Sequence, residues 1–334
     1  MSTSKTSRVG TGIAFVLSVL IVGFAAWLFL NRQAVLDQLA VWSYQPTTSI
    51  NEIDNEVQFT DKGLFTFYAT KPEVANSSEF NSKCQRQETG NPILGCYTSD
   101  DHIYIFDVSN SQLEGIKEVT AAHEMLHAVW QRMSPTEQTR LSTLLTAAYE
   151  KNATPELKER MAYYQRNEPG AFTNELHSIL GTEVANLGPD LESHYSQYFK
   201  NRQTILDLHA KYNAVYTSLY NRADQLYSSM QTLSTTIQDR SKAYDNDVAQ
   251  LTSDIDSFNS RANNGGFSSQ SQFSSERAAL VKRSTQLEAE RAVINSDIST
   301  YNSMYTEYQT IASQIEVLND SIDSFKVLSQ TPTV

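Results

Sequence analysis

The hydrophobic pattern opens with an unbroken apolar run from Ile13 to Leu30 that carries no charge. A helix of that length, rising about 1.5 Å per residue, matches a bilayer hydrocarbon core about 30 Å thick. Lys5 and Arg8 precede the run, and no acidic residue occurs before Leu30. The positive-inside rule therefore predicts residues 1–11 as a cytoplasmic N-terminus, 12–30 as a transmembrane signal anchor in the cell membrane, and an extracytoplasmic remainder. A signal peptide cleaved at Gly23-Phe24-Ala25 is the alternative, but the apolar run continues past it to Leu30, which favours an uncleaved anchor.

Residues 31–55 read as an amphipathic juxtamembrane helix, to about Tyr44, followed by a polar linker from Gln45 to Asn55. From Glu56 the pattern predicts strands: Val57 and Phe59 alternate, Asp61-Lys-Gly63 reads as a turn, and an apolar run follows from Leu64 to Tyr68. The run from His102 to Val108 predicts another strand. Helical signals come next. Ser134-Pro-Thr-Glu137 and Thr154-Pro-Glu-Leu157 each start a helix, with a capping hydroxyl before a proline in the first turn. A further helix near Phe172 is closed by Gly188-Pro189, and the next begins near Asp190 with no stop signal until Asn263-Asn-Gly-Gly266. Along it Leu208, Tyr212, Val215, Leu226, Met230, Leu251, Ile255 and Phe258 keep three–four spacings, answered from about Ser274 by Leu280, Leu287, Ile294, Ile298 and Tyr305. These seams predict an antiparallel coiled-coil hairpin over residues 201–328, on the order of 80 Å long, before a tail at 329–334. The apolar positions read as packing seams; a spacer, an adhesion arm, a substrate selector and a dimerisation element share that periodicity.

Charge narrows the partners. The net charge is −12, and the N-terminal cations lie before the anchor, so the remainder is more acidic still. Such a surface excludes nucleic acid as the main partner. Cys84 and Cys96, the two cysteines, bracket a turn-rich segment containing Gly90-Asn-Pro92. A disulfide there would stabilise the fold by roughly 3 kcal/mol and agrees with an oxidising compartment, the alternative being two unpaired thiols.

The most specific chemistry is His-Glu-Met-Leu-His at residues 123–127. On a helix, positions i and i+4 share one face, so His123 and His127 can bind one zinc ion while Glu124 reaches a water on the metal. Zinc lowers the pKa of such a water to roughly 7, and the glutamate takes its proton and passes it to the leaving amine. The flanking Ala121, Ala122, Ala128 and Val129 describe a buried helix, where polar side chains need partners and a metal supplies one.

The stretch from Thr120 to Val129 resembles the extended zincin metallopeptidase signature. A metzincin would need Gly at 130 and His at 133, where the chain has Trp130 and Met133. The gluzincin group instead takes a glutamate from a later helix. Asn174-Glu175 is similar to the Asn-Glu of thermolysin-like enzymes, and the surrounding residues resemble lethal-factor-like gluzincins, with Ser178 in place of an alanine. No Asp follows four residues after Glu175, so the supporting carboxylate of the thermolysin pattern is missing.

The resemblance implies His123, His127 and Glu175 as zinc ligands and Glu124 as the catalytic base. Glu183, two turns beyond Glu175, is the rival ligand or a partner for a ligating imidazole. His177 faces another side of that helix and reads as an ordinary hydrogen-bonded histidine. Tyr163, Tyr164, His194 and Tyr195 are candidate oxyanion stabilisers. The resemblance also makes Ile103 to Phe106 a candidate edge for an extended substrate, with an ordinary central strand as the alternative. The expected architecture is α+β: a transmembrane helix, a gluzincin-like domain at residues 56–200 with a small β-sheet and active-site helices, and the helical hairpin. The expected function is hydrolysis of peptide or protein at the membrane, the bilayer being contacted through the N-terminal helix and the arm offering a surface for a coiled-coil partner or self-association. The rivals are a cell-surface scaffold or adhesin with a structural or inactive metal site, and a cell-wall hydrolase using the same metal chemistry.

Overall fold

A computed structural model describes residues 5–85 and 92–326, with side chains from Ile13 onward. The side chains of Lys5 and Arg8, the turn residues Gly90 and Asn91, and the tail 329–334 lie outside the described residues. The chain is mostly helical, with one small sheet. Helix α1 (Lys5–Leu30) contains the apolar segment Ile13–Leu30, of mean hydropathy 2.7 and with none of it buried, long and apolar enough to cross a membrane. Helix α2 (Arg32–Ser43) follows after Asn31.

Two further helices stand where a polar linker and strands were expected. Helix α3 (Thr48–Val57) is capped by the Thr47 hydroxyl, which accepts from the Ile50 amide, and buries Ile50, Ile53 and Val57 along one face. Helix α4 (Asp61–Ala69) is capped by Thr60, whose hydroxyl accepts from the Gly63 amide. The expected turn at Asp61-Lys-Gly63 is thus the first turn of a helix, and the aromatic run after it is helical. Short apolar runs fit either period, and here the caps decide.

The sheet holds three strands in the order β1 (Glu73–Ala75), β3 (Ile103–Phe106), β2 (Gly95–Tyr97). β1 pairs parallel with β3, Val74 opposite Ile105, and β2 pairs antiparallel with it, Cys96 opposite Tyr104. β3 is therefore the central strand, buried along its length, and cannot be the substrate edge. Helix α5 (Ser77–Lys83) ends at Cys84, which is disulfide-bonded to Cys96 of β2.

Helix α6 (Ile116–Arg132) crosses the core against α9 (Phe172–Glu183), with α7 (Pro135–Asn152) and α8 (Pro155–Asn167) between them in sequence. Ser134 and Thr154 cap α7 and α8 as their sequence signals predict. Their core includes Ile103, Ile105, Met125, Leu126, Leu176, Ile179 and Leu180. α9 ends at Glu183, and α10 (Pro189–Tyr195) starts at the proline as expected. The predicted uninterrupted helix to Asn263 is broken after Tyr195. Phe199 leaves the helical path to bridge with Phe59, and α11 (Arg202–Asn263) starts anew.

The chain divides into two compact units: one comprises Met1–Val215 with Leu318–Val334, the other Tyr216–Val317. The boundary expected at residue 200 lies within the first unit. Ile205, Leu206 and Leu208 of α11 are buried there, and Arg202 pairs with Glu192 and donates to the carbonyl oxygen of Val184 at 2.8 Å. Ser324 likewise bonds Asn81, its hydroxyl to Oδ1 at 2.6 Å. In the second unit α11 and α12 (Gln270–Ile322) run antiparallel, since Arg222–Glu307, Arg240–Asp297 and Arg283–Asp254 pair in opposing order. Of the residues read as seam positions, Leu226, Met230, Leu251, Phe258 and Ile294 are buried, whereas Ile255, Ile298 and Tyr305 are exposed. At its tip Phe258, Phe267 and Phe273 pack ring to ring.

Within the first unit Glu183 ties α8 to the base of α11. Its oxygens accept from Arg160 of α8, at 2.5 Å and 3.1 Å, and lie 3.4 Å from His209 of α11. Burial would raise its pKa, but the His209 hydrogen bond and the Arg160 charge outweigh burial and hold it at about 2. A carboxyl depressed in the folded state stabilises above its ordinary pKa of 4.5, and that contribution is lost as pH falls toward 2. Urea unfolding across that window should show the advantage of wild type over Glu183→Gln shrinking from on the order of 3 kcal/mol toward zero. A difference independent of pH there would contradict this assignment.

Candidate metal centre

Helix α6 is buried on most of its faces, and its i, i+4 spacing turns His123 and His127 toward α9. Glu175 meets them from the first turn of α9, where the positive end of the helix dipole favours a carboxylate. The two Nε2 atoms are 3.1 Å apart, and each lies 3.5 Å from a Glu175 oxygen. The ligand atoms of His123, His127 and Glu175 all fall within 4.8 Å of one another, a group that could hold a metal ion.

The surroundings fit a cation. His127 Nδ1 is 3.0 Å from the side-chain oxygen of Asn174, which can only accept, so Nδ1 carries the proton and Nε2 presents a lone pair to the group. The Ser178 hydroxyl lies 3.3 Å from the same Nδ1. Glu175 Oε2 is buried without a hydrogen-bond partner of ordinary length, as a ligand oxygen would be. Burial works against the charged form of His123, but the carboxylates of Glu175, Glu124 and Glu183 outweigh it and raise the imidazole's pKa. Burial would also raise Glu175, yet the imidazoles of His127 and His123 and the hydroxyl of Tyr164 hold it below its ordinary value.

Glu124 lies beside the group and faces β2. Burial, helped by the Glu175 carboxylate, raises its pKa against the pull of the two histidines. The backbone of Tyr97 in β2 works against that rise and lowers it. A cleft of about 750 Å³ opens over these side chains, lined by Gly95 and Tyr97 from β2 and by Arg160, Tyr163 and Tyr164 from α8. Of the expected oxyanion residues, Tyr163 and Tyr164 line this cleft, and the Tyr164 hydroxyl helps to lower the pKa of Glu175.

His194 and Tyr195 do not reach the cleft. Their helix packs behind α9, where His194 Nε2 is 2.9 Å from His177 Nε2 and the Tyr195 hydroxyl donates to the carbonyl oxygen of His177. Burial pulls His177 far below the ordinary histidine pKa and His194 down to about 4, so both are neutral at neutral pH. Glu183 also stays outside the group, committed to Arg160 and His209.

Two structural supports of the site have weak sequence signals. Arg132, in the last turn of α6, is held by Asp37 of α2 through two hydrogen bonds of 2.8 and 3.0 Å. It also binds Asp101 at 2.8 Å, and Asp101 in turn accepts from the Tyr97 hydroxyl at 2.5 Å. The second support is Gly95: a Cβ there would stand 2.6 Å from Thr120 Cγ2 and 2.7 Å from Glu124 Oε1. A glycine preceding a half-cystine is the faint signal. Gly95→Ala should displace the Glu124 carboxylate while changing stability by roughly 1 kcal/mol, and a crystal structure of the variant should show that movement. A carboxylate left in place would show that this close approach does not position Glu124.

No protein-family model, curated protein or solved structure matches this chain.

Proposed function

We propose that the chain is a membrane-anchored zinc metallopeptidase of the gluzincin type, acting on peptides or proteins outside the cytoplasm. The observation that carries this reading is the convergence of His123, His127 and Glu175 with Glu124 beside them in an open cleft. Two imidazoles and a carboxylate make the donor set of a catalytic zinc site, whereas a structural site is closed by four protein ligands. Among the described residues the group has three.

Zinc held by these residues would polarise the scissile carbonyl and the attacking water. Glu124, with its pKa raised by burial, takes the proton from the water and returns it to the leaving amine without a covalent intermediate. Asn174 fixes the His127 ring, and Tyr164 holds Glu175 as the third ligand. Tyr163 lines the cleft and is assigned to the developing oxyanion. The outer edge of β2 lies at the cleft, so an extended peptide would add to β2 rather than to the central strand β3.

In this reading α1 is a signal anchor with its N-terminus in the cytoplasm, and the Cys84–Cys96 disulfide suits the compartment outside. Residues 216–317 act as an antiparallel coiled-coil arm that engages large substrates, a partner protein or a second copy.

Purified full-length protein should hold one zinc per chain, and His123→Ala should lose most of it. Glu124→Gln keeps the shape but cannot accept the proton, so zinc should persist while peptide cleavage falls by about two orders of magnitude or more. Equal cleavage by wild type and Glu124→Gln would refute the assigned base, and absence of zinc from wild type would refute the reading.

A further inference from the structure

The polarity of helix α2 is reversed relative to a helix that faces water. Asp37, its acidic side chain, is 6% exposed, whereas Leu36, Leu39 and Trp42 are 46%, 52% and 76% exposed. At about 100° per residue these three apolar side chains fall in an arc of roughly 120°, and Arg32 falls in the same arc. The opposite face is held by the protein: Arg132 binds Asp37 there, and Gln33 donates to Asp37 at 2.9 Å and to Asp101 at 3.0 Å. α2 is thus held on its polar face and leaves its apolar face uncovered by the described residues.

Its position identifies the cover. Phe29 and Leu30, each 81% exposed, end the apolar segment of α1, and Asn31 alone separates them from α2. Hydrogen bonds cross the junction, from the Asn31 amide to Trp27 and from the Val35 amide to Asn31, while Asn31 itself departs from helical geometry at φ −110° and ψ 19°. A straight continuation would carry Trp42 about 18 Å along the helix axis, beyond a headgroup layer some 5–7 Å deep on each side. The departure from helical geometry at Asn31 leaves α2 able to turn along the layer instead. A tryptophan, two leucines and an arginine on one face suit that interface, the rings and chains among the upper acyl groups and the guanidinium at the phosphates.

We propose that α2 lies on the surface of the bilayer that α1 crosses, with Leu36, Leu39 and Trp42 in the interfacial layer, and that the Asp37–Arg132 pair thereby holds the histidine-bearing helix against the membrane. The proposal rests on α1 as a membrane span and is independent of the peptidase reading.

The test uses the full chain in phosphatidylcholine vesicles carrying lipids brominated at shallow or deep acyl positions. Three variants each keep one tryptophan: Trp27→Phe with Trp130→Phe reports Trp42, Trp42→Phe with Trp130→Phe reports Trp27, and Trp27→Phe with Trp42→Phe reports Trp130. Trp42 should lose about half its fluorescence, more with shallow than with deep bromines, while Trp130 in the protein interior keeps its own. Should the Trp130 substitution disturb folding, the difference in quenching between wild type and Trp42→Phe reads the same quantity. Quenching of Trp27 without Trp42 would leave α1 in the bilayer and overturn the proposal. A blue-shifted but unquenched Trp42 would mean that protein, such as a second copy, covers the face. Absence of quenching at Trp27 would remove the membrane span and the proposal with it.

Discussion

The packing of α6 against α9 is the constraint on which the rest of the site depends. Three ligand atoms from two helices converge within 4.8 Å only if the helices are held close and in register. Gly181 permits that approach, since a Cβ there would stand 2.5 Å from Leu126 Cδ1 and 2.7 Å from Tyr195 Cε1. The apolar contacts of Met125, Leu126, Leu176 and Leu180 supply the driving force, and burial makes every unpaired polar group in the seam expensive. The buried Glu175 and the two histidines relieve that cost by facing one another, which is also the arrangement a cation requires.

A second layer positions Glu124 rather than the His123, His127 and Glu175 group. The Glu124 carboxylate meets the backbone of Tyr97, whose side chain is tied through Asp101 to Arg132 at the far end of the same helix. Burial and the Asp101 contact push the Tyr97 hydroxyl up to about 12, so it stays a hydrogen-bond donor across the physiological range. The disulfide to Cys96 holds the same short strand from its other side. β2 is therefore fixed by a covalent bond, a strand partner and a charged network, although it has only three residues.

Legibility in the sequence followed the locality of the physics. The helix that carries His123 and His127, the caps at Ser134 and Thr154 and the apolar run of α1 depend on neighbours within a few residues, and each is legible directly. The segment from Gln45 to Tyr68 is ambiguous in sequence because Ile50, Ile53 and Val57 keep a helical spacing diluted by polar neighbours, while Phe65, Phe67 and Tyr68 suit a strand equally well. The place of β3 at the centre of the sheet depends on pairings with β1 and β2, remote in sequence, and no local pattern reports that. Glu183 illustrates the same limit: helical spacing puts it near the face of Glu175, but Arg160 and His209, from other helices, claim it. Likewise the break between α10 and α11 comes from the bridge of Phe199 to Phe59, invisible to periodicity.

The central claim is that α6 and α9 together build a three-ligand catalytic metal site. X-ray absorption at the zinc edge of the full-length protein tests it most directly, because it counts the imidazoles and the light atoms around the ion. The account predicts two imidazoles with oxygen neighbours at about 2.0–2.2 Å, four or five ligands in all, and the loss of one oxygen neighbour in Glu175→Gln. Four protein ligands, a third imidazole, or a sulfur neighbour near 2.3 Å would contradict it.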